Sequence, residues 1–85
     1  MKAQFLLGMG GLKSGQFDKA IGRFETVIRH DPNNFTPYEK VGFAYAEVGN
    51  KTKALESLRH AKDLNRDSTY VNYIDKIIEE VQKIQ

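Results

Sequence analysis

The chain has 85 residues, 13 basic and 11 acidic side chains, a formal net charge of +2 and no cysteine. That excludes disulfides, thiolate metal sites and a thiol nucleophile. No run of like charge supports bulk binding to nucleic acid or a membrane surface, and no apolar stretch approaches the ~20 residues of a membrane span.

A single domain of this size has a small core and needs a partner, a staple or close helix packing to hold it. The N-terminus lacks the basic, apolar, small-residue order of a signal peptide, since Gly8, Gly10 and Gly11 break its apolar run. A cytoplasmic setting is expected. Five helices are predicted. The first covers about residues 2–14, with Phe5, Leu6, Leu7, Met9 and Leu12 as its apolar surface. Its three glycines each cost up to ~1 kcal/mol in a helix interior. It has no N-cap, and Lys2 sits where the helix dipole disfavours a cation. A start so poorly capped suggests a piece of a longer chain.

The second helix lies between Gly15 and Asp31-Pro32, with Phe17, Ala20, Ile21, Phe24, Val27 and Ile28 on one face. The third is expected to open on Thr36 as N-cap, with Pro37 first in the helix and Glu39 completing a capping box, and to run to about Val48. The fourth, about 52–64, places Ala54, Leu55, Leu58, Ala61 and Leu64 on one face. The fifth starts near Thr69, capped by Asp67 or Ser68. It buries Val71, Ile74, Ile77, Ile78 and Val81 and turns Asn72, Lys76, Glu79, Glu80 and Lys83 to water. No strand pattern occurs, so the fold class is all-α.

Gly49 to Leu64 repeats the skeleton of the second helix at an offset of 34, pairing Gly15/Gly49, Lys19/Lys53, Ala20/Ala54, Ile21/Leu55 and Phe24/Leu58. This period resembles the tetratricopeptide repeat, whose pattern is W-x2-L-G-x2-Y, then A-x3-F, then P. The first unit supplies Gln4, Leu7, Gly8, Gly11, Ala20, Phe24 and Pro32; the second supplies Tyr38, Val41, Gly42, Tyr45, Ala54, Leu58 and Arg66. Gln4, Gly11 and Arg66 depart from the usual large aromatic, tyrosine and proline. Small residues at Gly8/Ala20 and Gly42/Ala54 would let paired helices approach closely, with Phe24 and Leu58 filling the space between neighbouring units. The resemblance implies a right-handed α-solenoid in one domain, 1–85, with repeats at about 1–34 and 35–67 and a capping helix at about 68–85.

No enzyme is expected. Gly8 to Gly15 lacks the glycine before lysine and the preceding strand of a phosphate loop. His30 and His60 have no close third ligand, so neither a metal nor another cofactor is expected, and both histidines are expected in solvent near helix ends. Glu79-Glu80 reads as a solvated pair. The resemblance implies that the first helix of each unit lines a concave groove. Position by position, the lining is Lys2, Phe5, Met9, Leu12 and Lys13, then Thr36, Glu39, Phe43, Ala46 and Glu47, then Thr69, Asn72, Lys76 and Glu79. One branch of the family clamps a C-terminal carboxylate with asparagines at the positions held here by Met9 and Phe43, so that clamp is absent.

The expected function is therefore protein–protein interaction: Phe5, Met9 and Phe43 anchor a peptide or helix of a protein partner, and Lys13, Glu39, Glu47 and Lys76 set its register. The alternative is homo-oligomeric assembly through the uncapped first helix, at Leu6 and Gly10. A regulatory part of a larger enzyme or sensor is a third reading.

Overall fold

The computed structural model describes residues 15–83, which form four helices: α1 (Phe17–His30), α2 (Phe35–Glu47), α3 (Lys51–Leu64) and α4 (Ser68–Gln82). Among the described residues there is no strand. These are the second to fifth of the expected helices; the first, with Lys2, Phe5, Met9, Leu12, Lys13 and the proposed contact residues Leu6 and Gly10, lies outside the described residues.

The joint between α2 and α3 shows how short connections fix the helix order. Gly49 takes φ = +83°, a left-handed conformation that only glycine adopts freely. It lets the Asn50 amide donate to the Tyr45 carbonyl at 2.8 Å while its own amide donates to Ala46 at 3.1 Å. This is the paired closure of a Schellman motif. Asn50 then opens α3, its side chain accepting from the Lys53 amide at 3.2 Å. One asparagine both closes a helix and starts the next.

One helix start differs from expectation, that of α2, while the cap of α4 is one of the two expected. Asn34, not Thr36, caps α2. Asn34 has extended backbone angles, and its side chain accepts from the Thr36 amide at 3.1 Å; asparagine is also the stronger cap. Pro37 still falls in the first turn, where amides have no intrahelical partner, but Glu39 makes no capping box. At α4 the cap is Asp67, which accepts from the amides of Thr69 at 3.0 Å and Tyr70 at 3.2 Å.

Side-chain contacts show that α2 and α3, and likewise α3 and α4, run antiparallel. Tyr45, late in α2, donates to Glu25 of α1 at 2.6 Å. Tyr38, early in α2, stacks on His60, late in α3, at 4.1 Å between ring centroids. His60 is exposed, as expected, and lays one face of its ring on Tyr38. Lys51 at the start of α3 donates to the Gln82 carbonyl at the end of α4, and Lys62 pairs with Asp75 at 2.8 Å.

The core joins all four helices: Ala20, Phe24, Val41, Ala44, Ala54, Leu58, Ile74 and Ile78 are buried together. Gly42 sets the closeness of α2 and α3, because a Cβ built there would stand 2.9 Å from Leu58 Cγ and Cδ2. Leu58 therefore fills the space over the glycine of its own helical pair. Val71 and Ile77, expected in the core, are half-buried.

Candidate functional site

Because α2 is antiparallel to α3 and α3 to α4, helices α2 and α4 run parallel. They meet at their starts, where the Phe35 and Tyr70 rings pack edge to face at 4.7 Å and the Tyr70 hydroxyl donates to Glu39 Oε1 at 2.8 Å. Farther along they part and leave a cleft of about 680 Å³. Phe43, Ala46 and Glu47 form one wall; Tyr73, Lys76, Ile77, Glu79, Glu80 and Val81 form the other.

The chemistry of this cleft is an apolar floor with a charged rim. Phe43, Ala46 and Ile77 are half-buried against the core, and Tyr73 is 49% exposed. Lys40 places its ammonium 5.5 Å from the Phe43 ring centroid and pairs with Glu39 at 3.1 Å. Among the described residues no group of three or more His, Cys, Asp or Glu could hold a metal ion.

Of the expected groove residues, Phe43, Glu47 and Lys76 line the cleft together with Ala46 and Glu79. Thr36 and Asn72 do not line it. Glu39 is 7% exposed; it holds the closed end of the cleft instead of standing on its rim. Burial, followed by the hydrogen bond to Glu39, pushes the Tyr70 hydroxyl pKa well above its ordinary value, which keeps that hydroxyl a donor. Phe5, Met9, Leu12 and Lys13 lie outside the described residues.

Sequence reasoning missed Tyr73 and Glu80 as lining residues and gave Ile77 and Val81 to the core alone. The signal was present: Tyr73, Ile77 and Val81 follow at i, i+4 and i+8, one row along a helix.

A second depression of about 310 Å³ lies beside α1, α2 and α3, around Glu25, Tyr38, Tyr45 and Glu56. Its tyrosines are committed internally. Tyr45 donates to Glu25, and Tyr38 donates to the Pro32 carbonyl at 2.9 Å. Burial and then the Glu25 bond raise the Tyr45 pKa to about 12.

No protein-family model matches the chain. Among curated proteins, Superkiller complex protein 3 of Mus musculus is 40% identical over 63 residues, covering 74% of this chain and 4% of that protein. Tetratricopeptide repeat protein 37 of Xenopus laevis is 36% identical over 66 residues, covering 78% and 4% respectively. Superkiller protein 3 of Schizosaccharomyces pombe is 33% identical over 73 residues, covering 86% and 5%. These relatives join the antiparallel helices, the 34-residue offset and the contact of Gly42 with Leu58 to one repeat class. This is a tetratricopeptide-repeat chain. It spans about one twentieth or less of the length of those relatives. Tetratricopeptide-repeat relatives support a general protein-interaction or scaffold role for it. Among the described residues, no helix of this tetratricopeptide-repeat chain is long and apolar enough to cross a membrane.

Proposed function

We propose that the chain is a non-enzymatic interaction module that receives apolar side chains of a protein partner in the cleft between α2 and α4. The observation that supports this most is the parting of two parallel helices around Phe43, Ile77 and Tyr73, which leaves large apolar groups facing solvent. Such surfaces mark interaction sites. Phe43 is the central anchor, and Glu47 and Lys76 set polar register. In this reading α4 is the closing helix of an array with repeats at about 1–34 and 35–67. The printed name of the mouse relative makes that protein a member of a complex, and a place in a multiprotein assembly is the role proposed here by analogy.

A photo-crosslinking residue at Tyr73, compared with one at Lys19 on the outer face of α1, tests the reading. Discrete adducts are expected from position 73 and should disappear with Phe43→Ser while helicity by circular dichroism persists. Equal adducts from both positions, or adducts indifferent to Phe43→Ser, would refute it.

A further inference from the structure

The charges around the cleft are not arranged like those around the rest of the chain. Three of its four charged lining residues are acidic: Glu47, Glu79 and Glu80, against Lys76. The chain as a whole carries net positive charge. Lys83 neutralises Glu80 in an exposed pair at 3.5 Å, and Lys40 at the other end is engaged with Glu39. Among the described residues that line the cleft, Lys76 is then the single cation beside Glu47 and Glu79.

Helix polarity adds to this. The last turns of α1 and α3 carry Arg29 and Lys62, cations that offset the partial negative charge of a helix C-terminus. The last turns of α2 and α4 carry no cation; they contain Glu47 and the pair Glu79-Glu80. Because α2 and α4 are parallel, both negative ends fall at the same open end of the cleft. Lys51 caps the Gln82 carbonyl from the α3 side.

Resting on the docking reading above, we infer that the occupant is a basic amphipathic helix of a partner, its apolar anchors on Phe43, Ile77 and Tyr73 and its cations against Glu47 and Glu79. The α4 wall from Tyr73 to Val81 runs for roughly 12 Å at 1.5 Å per residue. That is a little over two helical turns, so anchors at i, i+4 and i+7 of the partner span it. Acids at two like-charged helix ends cost the free chain stability, and a cationic occupant removes that cost.

The test uses the 85-residue chain and two fluorescent peptides of about 14 residues, roughly four turns. Both carry leucine at the same amphipathic spacing, one with lysine and one with glutamate on the polar face. Binding is read by anisotropy and mapped by amide chemical shifts. The lysine peptide should bind at least about tenfold more tightly, a difference of ~1.4 kcal/mol, and its affinity should fall with salt. Glu47→Lys with Glu79→Lys should reverse the preference, Phe43→Ser should abolish binding of either peptide, and Asp18→Lys with Glu56→Lys away from the cleft should change nothing.

Equal binding of both peptides that still requires Phe43 would overturn the charge inference and leave the docking reading standing. Lysine-peptide binding that ignores both Phe43→Ser and the double reversal would overturn both, as would no binding of either peptide. Concentration-dependent shifts at cleft residues without peptide would show a second copy as occupant and sink the inference.

Discussion

Glu39 is the charged side chain withdrawn from water among the described residues, and its partner Tyr70 lies 31 positions away. Tyr70→Phe keeps the ring that packs on Phe35 and removes the donor. Leaving that carboxylate short of a donor should cost about 1.5–3 kcal/mol by urea denaturation, whereas Tyr73→Phe should be silent. Tyr45 adds a pH signature. Its hydroxyl ionises near pH 10 when unfolded and near 12 when folded. Between those values the unfolded state releases its proton first, so stability present below pH 10 is lost as pH rises. Tyr45→Phe should be about 1 kcal/mol less stable at neutral pH, and the gap should close on approaching pH 12. Neither tyrosine's role was legible beforehand: Glu39 stands three residues after a threonine and reads locally as a capping box, while its actual partner is set by packing.

Helix boundaries were legible to within a residue or so at most ends because Gly49, Asn50 and Asp67 act through neighbouring amides. The start of α2 was not, since Asn34 and Thr36 compete for the same role two residues apart and local pattern favours the one followed by proline. The repeat itself suggests an improvement. Gln16 precedes α1 with φ −87° and ψ 66°, close to the −89° and 77° of Asn50, yet makes no side-chain cap. Gln16→Asn should stabilise the chain by about 0.5–1 kcal/mol in thermal or urea unfolding. Helix contact gives the opposite case. Gly42→Ala gains helix propensity but drives a methyl into Leu58, so a net loss of about 1–2 kcal/mol is expected. Pairing it with Leu58→Val should recover part of that loss in a double-mutant cycle.

Across the whole molecule, each helix leans on its neighbours in sequence, so stability is distributed along the stack. At 0.05–0.15 kcal/mol per residue the total is about 4–13 kcal/mol, and Leu58→Ala alone, at about 2–5 kcal/mol, threatens the fold. The α4 helix packs on α3 and leaves its other flank to the cleft. Native-state hydrogen exchange should therefore release α4 amides before those of α2 and α3. The 34-residue offset made the pairing of helices readable. The shape of the cleft was less so, because it depends on how far two parallel helices part beyond the Phe35–Tyr70 contact, a distance that no periodicity encodes. Phe43 was legible from its position in the repeat, whereas the row of Tyr73, Ile77 and Val81 is visible in the sequence but reads equally as core.

Gly15 and Gly49 sit one period apart with φ of +78° and +83°, and a methyl group added at either would meet no atom within 4 Å. Space is free there; handedness is not. L-alanine at either position should cost about 1–2 kcal/mol. Its mirror image, introduced by chemical synthesis, suits the same backbone angles and should raise the melting temperature by restricting the unfolded chain. At these two joints a D-amino acid is the better fit.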